Sequence, residues 1–143
     1  MPRSRKLAKS DFEALSEFRY QLRRFLRFSE LAVGREGLRP QQYLLLLHLK
    51  GLPGRETATV GELAERLQIL PHGALALVNR CEEAGLITRA EDVSDRRQVR
   101  ISMTAFGESK LRSLAALHRA ELESLDGLFR VTNIFAFNDK GEV

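Results

Sequence analysis

The stretch from Val60 to Thr104 constrains this fold more than any other part of the chain. Val60-Gly-Glu-Leu-Ala-Glu-Arg-Leu67 is a short amphipathic helix. Thr59 and Glu62 have the spacing of a capping box at its start. A turn carrying Pro71 leads to a second helix that runs to Gly85. Leu86-Ile-Thr-Arg89 follows as a strand, and Asp92-Val-Ser-Asp-Arg-Arg97 makes a charged tip. Gln98-Val-Arg-Ile-Ser102 returns as a second strand. Within it Val99 and Ile101 alternate with Arg100 and Ser102, as a half-buried strand requires.

The flanks are helical. Residues 1–9 are expected to form a disordered basic tail. Ser10 is the expected N-cap of the first helix, with Glu13 completing a capping box. Phe12, Leu15, Phe18, Leu22, Phe25, Leu26 and Leu31 then recur at helical spacing, and the helix should end near Gly34 or Gly37. Pro40 suits the first turn of the next helix, which runs to about Lys50. Its centre, Leu44-Leu-Leu-Leu47, should be deeply buried on nearly every face. Gly51 to Ala58 is expected to be a loop, with Pro53 and Gly54 as breakers. Thr104 can cap a last long helix to about Leu125, with Phe106, Leu111, Leu114, Leu117 and Leu122 on its apolar side. In the tail 127–143, Gly127, Asn133 and Asn138 weaken a helical reading. The fold class is therefore mainly α with a small antiparallel β-hairpin wing: a winged helix-turn-helix between long terminal helices. The expected division is 1–37 for the N-terminal tail and dimerisation helix, 38–104 for the winged helix and 105–143 for the C-terminal dimerisation helix and tail. The terminal helices carry more apolar surface than so small a core needs, and a symmetric dimer is the commonest way to cover it.

Several function classes lose support. At 143 residues the chain is about one domain and can bury a core without staples. One Cys permits no internal disulfide, which suits a reducing cytoplasm. No apolar run approaches membrane-spanning length, and Arg3, Arg5 and Lys6 precede no apolar stretch of a signal peptide. His48, His72 and His118 lack metal-ligand spacing. No nucleophile–base set, Gly-rich phosphate loop or paired carboxylate motif is present, so neither a cofactor nor an enzymatic activity is expected. Cys81 falls on a 74, 77, 78, 81 core face, where a thiol behaves as a small hydrophobe rather than a redox sensor.

A net charge of +4 favours a polyanionic partner. A helix like that of 71–85 can lie in the major groove of double-stranded DNA, with a charged hairpin beside it reaching backbone or minor groove. At the tip, Arg97 is the expected minor-groove side chain, Asp95 is expected to hold its guanidinium by a bidentate pair, and Arg96 can meet phosphate. Arg19, Arg23, Arg24 and Arg27 on the first helix read as a solvated face, with DNA or a ligand carboxylate as the alternative.

Leu38-Arg-Pro-Gln-Gln, Val60-Gly-Glu-Leu-Ala-Glu-Arg-Leu, Leu77-Val-Asn-Arg80 with Gly85-Leu-Ile, Asp95-Arg-Arg97 and Met103-Thr-Ala-Phe-Gly107 together resemble the MarR family of bacterial winged-helix transcriptional regulators. The resemblance covers about residues 10–125. It implies a homodimer built from the N- and C-terminal helices that binds palindromic promoter DNA, commonly as a repressor. Release by a small aromatic or phenolic effector is also implied, with Arg19, Tyr43 and His48 as ligand candidates. DNA contacts would fall to His72, Gly73, Leu75, Ala76 and Arg80 on the second helix, and to Asp95, Arg96 and Arg97 on the wing. The sequence departs from the family's pattern where that helix begins. Pro71-His-Gly-Ala-Leu-Ala-Leu77 offers one polar side chain where the family has several, so hydrogen-bonded base readout should be poor and wing and DNA shape should matter more. A winged helix serving protein contacts without specific DNA binding is the alternative.

Overall fold

A computed structural model describes residues 6–124. The chain divides into two compact units: Met1–Leu31 with Leu117–Val143, and Ala32–Ala116. The elements in order are α1 (Lys9–Arg35), α2 (Pro40–Lys50), β1 (Thr57–Ala58), α3 (Val60–Leu67), α4 (Pro71–Glu83), β2 (Ile87–Glu91), β3 (Val99–Met103) and α5 (Ala105–Ser124).

In the larger unit, α2, α3 and α4 pack with a three-stranded sheet of order β1-β3-β2. Its core holds Val33, Leu45, Leu46, Leu49, Leu63, Val78, Cys81, Leu86, Ile87, Ile101 and Leu114, all fully buried. The hairpin is antiparallel, with Arg89 opposite Ile101 and Glu91 opposite Val99. The third strand corrects the expected loop over 51–58: Thr57 and Ala58 pair with Ser102 and Ile101. Two residues give no readable alternation, so propensity could not announce it. The leucine run is also less uniform than expected. Leu45 and Leu46 are buried, whereas Leu47 is 37% exposed, because α2 turns one face outward.

Capping explains the helix starts. Thr59 Oγ1 accepts the Glu62 N–H at 3.2 Å, and Glu62 Oε1 accepts the Thr59 N–H at 3.0 Å, forming the expected box. Arg39 cannot accept such a bond, yet the reciprocal half survives, since its N–H donates to Gln42 Oε1 at 2.9 Å. Ser10 is not the cap of α1. The helix begins at Lys9, and the Asp11 carboxylate accepts the Ala8 N–H at 2.8 Å. A carboxylate in the first turn reaches back as readily as a hydroxyl reaches forward, and it suits the helix dipole. α3 closes on Gln68 in the left-handed region (φ 56°), with the Ile69 N–H bonded to Ala64 O at 3.1 Å. The Gln68 amide steadies this turn by donating to Glu65 O at 2.7 Å. That turn sets the entry to α4.

At the start of α5, Thr104 Oγ1 accepts the Gly107 N–H at 3.0 Å and donates to Gly85 O at 2.6 Å. The Thr104 N–H also reaches Leu86 O at 3.0 Å. A side chain on Gly107 would meet the Leu86 carbonyl oxygen, so glycine here lets α5 lie directly on the strand entering the wing.

In the smaller unit, His118 is buried, with Nε2 2.6 Å from Ser29 Oγ and its ring edge-on to Phe25 and Phe28. Phe12, Leu15, Tyr20, Leu26, Leu31, Leu117 and Leu122 of this unit stay exposed within the single chain. The expectations for residues 1–5 and 125–143 lie outside the described residues.

Candidate nucleic-acid interface

α4 has two faces at helical spacing. Ala74, Leu77, Val78 and Cys81 face the core. His72, Leu75, Asn79 and Arg80 are exposed, and Gly73 and Ala76 are half-buried between them. Core burial thus fixes which residues point away, and it brings the five helix candidates onto one accessible side. Asn79 belongs with them and was missed. The 72, 75, 76, 79 spacing carries that signal. Cys81 is confirmed as a core residue, and burial pushes its thiol up to about 11.

The wing is tied to the helices by ion pairs. Arg89 of β2 grips Glu82 of α4 with a two-pronged contact, Nη2 to Oε1 at 2.9 Å and Nε to Oε2 at 3.3 Å. Arg100 of β3 donates through Nε to Asp92 Oδ2 at 2.9 Å and lies 3.6 Å from Glu62 Oε1 through Nη1. Glu62 is in turn the reciprocal member of the α3 capping box and a partner of Arg55. Asp92 also accepts the Ser94 hydroxyl at 2.7 Å and the Ser94 N–H at 2.9 Å. The Ser94 hydroxyl and N–H, and then the Arg100 guanidinium, draw its carboxyl down to about 2. The hairpin is therefore braced at both strands.

At the tip, the Asp95–Arg97 pair differs from the expected geometry. Asp95 Oδ1 accepts the Arg97 N–H at 3.0 Å and the Arg97 Nε at 3.3 Å. One oxygen takes both, so there is no bidentate grip. Two residues of separation favour a local turn, in which the carboxylate satisfies the backbone first. The Arg97 side chain remains 92% exposed and projects from the hairpin. Arg96 is exposed as well. Arg100 and Asp92 are the wing residues missed in the sequence. They lie eight positions apart and meet only through the strand register.

The ligand candidates are distributed over the two units. Arg19 lines a groove along α1 with Ser16, Tyr20, Leu22, Arg23 and Leu26 in the smaller one. Tyr43 and His48 belong to α2 in the larger one. Tyr43 is buried, which raises its hydroxyl above the ordinary value. His48 is half-buried, and burial followed by the positive charge of Arg66 lowers its ring below the ordinary value. Among the described residues no cluster of three or more His, Cys, Asp or Glu could hold a metal ion.

Residues 36–98, which hold α2, α3, α4 and the wing as far as Gln98, match the MarR family. Over this stretch, which is under half of the chain, the protein is similar to the MarR family. It is 30% identical over 86 residues to the HTH-type transcriptional repressor MdtR of Bacillus subtilis, across 60% of this chain and 54% of that protein. The match thus spans about half the length of that relative. Among solved structures, the MarR family transcription regulator SP03579 superposes with a TM-score of 0.73 at 25% identity, covering 91% of this chain and 84% of that one. NadR, solved in complex with 4-hydroxyphenylacetate, superposes with a TM-score of 0.68 at 18% identity, covering 97% and 94%. The fold seen here is thus shared with these solved structures over more than nine-tenths of the chain.

Proposed function

We propose that this protein is a DNA-binding transcriptional repressor that works in the bacterial cytoplasm as a homodimer on an inverted-repeat site. The observation that carries the reading is the braced wing. Its two strands are fixed to α4 and α3 by Arg89–Glu82 and Arg100–Glu62, and its tip projects Arg97 with nothing in the larger unit covering it. A braced scaffold with an exposed guanidinium suits a narrow minor groove. The exposed side of α4 suits the adjoining major groove, and Arg96 and Arg80 suit phosphate. Two copies give two such readers, and the exposed apolar residues of the smaller unit supply a surface for pairing. The repressor name of the Bacillus relative agrees with this reading.

An aromatic effector is the regulatory part of the same proposal. NadR binds an aromatic carboxylate, and Arg19 with Tyr20 offers this chain a cation beside a ring. The test is sedimentation of the full chain with and without duplexes enriched from a random pool. A species near twice the 16.2 kDa chain mass, shifting as a dimer onto one duplex, is expected. A folded monomer, or no enriched duplex at low salt, would favour a protein-interaction module instead.

A further inference from the structure

The N-terminal half of α4 combines three features. Leu70, at the helix entry, is 67% exposed, and Leu75 is 44% exposed, so two leucines face solvent where a soluble surface gains nothing from them. Gly73 lies between them in the first turns of the helix. A Cβ built on it meets nothing within 4 Å, so no neighbour in the chain demands glycine there. Glycine in a helix is less favourable than alanine, and it remains the residue that lets another molecule approach a backbone closely. His72 is the sole polar side chain of residues 71–77. This surface can make few hydrogen bonds to base edges. It can press apolar groups against apolar groups.

The major groove presents one apolar group of that kind, the C5-methyl of thymine. We propose that α4 recognises thymine methyl groups through Leu75 and Ala76, with Gly73 allowing the helix backbone to seat deeply in the groove. The surface is continuous with the polar end of the same exposed face. There Asn79 has the amide geometry that pairs with adenine, the partner base of thymine, and Arg80 supplies charge toward phosphate. The preferred half-site is thus rich in A·T pairs by direct contact. This inference rests on the DNA-binding reading above.

The experiment enriches random duplexes with the full-length protein and then resynthesises a recovered site with uracil in place of every thymine. That exchange removes only the methyl groups. Burying one such group is worth about 0.8 kcal/mol, so each methyl contacted should contribute roughly fourfold in affinity. The native chain should bind the thymine duplex severalfold more tightly than the uracil duplex. Leu75→Ala should narrow the gap between the two affinities, since Leu75 is outside the core and Ala76 alone then remains. Gly73→Ala should keep or raise the melting temperature and weaken binding to the thymine duplex about tenfold. Equal affinity of the native chain for both duplexes would overturn the inference and leave DNA binding intact. A thymine preference left undiminished by Leu75→Ala would also overturn it, because the methyls would then act through DNA shape. Unchanged binding by Gly73→Ala would refute the close approach. Failure to enrich any duplex would overturn the DNA-binding reading itself.

Discussion

Gly73 and Gly107 both sit in the first turns of helices, yet alanine at the two positions should have opposite effects on stability. At Gly73 the added methyl enters open space. Alanine there lowers the entropy of the unfolded chain and improves helix propensity, for a gain of about 0.5 kcal/mol. At Gly107 the same methyl would overlap the Leu86 carbonyl oxygen and lie 3.1 Å from its carbon and 3.0 Å from Met103 Cγ. Met103 can shift, but the Leu86 backbone cannot. It is held by the Thr104 N–H at 3.0 Å, and the Leu86 N–H is bonded to Cys81 O at 2.9 Å. Relief would require α5 to lift from the strand, straining the Thr104 bonds to Leu86 O and Gly85 O. Overpacking of this kind costs about 1–3 kcal/mol, and each weakened bond about 1 kcal/mol more. A net loss on the order of 3 kcal/mol, or roughly 10 °C in melting temperature for a chain of this size, is expected. Urea and thermal denaturation followed by circular dichroism, at matched protein concentration, measure both variants. A Gly107→Ala protein as stable as the native chain would refute the close contact of α5 with Leu86. A marked loss at Gly73 would show a packing role for that position.

Arg97→Ala should lower DNA affinity by about 1–3 kcal/mol and leave the melting temperature unchanged, because the side chain is almost wholly exposed; Asp95→Ala should cost less affinity. Equilibrium binding and thermal denaturation run in parallel would detect the reverse pattern, which would make the pair a structural clasp. Cys81 should react with thiol reagents only after unfolding, since its thiol is fully buried and shifted to about 11. Rapid native labelling with loss of DNA binding would revive a redox role. Asp92 titrates at about 2 rather than its ordinary 3.8, so its bonds favour the folded wing fully above about pH 4 and are lost as pH falls through 2. Carboxyl chemical shifts followed by NMR should place its midpoint near 2, and a midpoint near 4 would show that Asp92 does not brace the hairpin.

α1, α3 and α5 were legible through their periodicity, and α2 and α4 chiefly through the proline at each start. Thr59 with Glu62, Pro40, Pro71 and Thr104 all mark a boundary within a residue or so of its observed place. The wing was legible because Val99 and Ile101 alternate with polar neighbours. What escaped depends on distance in the chain. β1 is too short for a pattern, and it is defined by pairing with β3. Arg100 reads in the sequence only as a polar residue alternating with Val99 and Ile101, because Asp92 and Glu62 meet it only once the strands and α3 are in register. The start of α1 was misplaced because Ser10 and Asp11 both offer caps, and sequence spacing alone does not choose between them. The bidentate geometry at the tip was assigned to the wrong pair: Arg89 and Glu82 form it, across two elements.

If α4 and the wing bind duplex DNA through phosphate contacts by Arg80 and Arg96, with Arg97 reaching into a groove, affinity must depend on salt. A fluorescence-anisotropy titration with an enriched inverted-repeat duplex, repeated from about 50 to 200 mM salt, tests it most directly. Log affinity should fall linearly with log salt, with a slope of several contacts per dimer, and Arg96→Ala or Arg80→Ala should each reduce that slope by about 1 per protomer. An affinity that does not change with salt, or slopes that both variants leave untouched, would contradict this mode of binding.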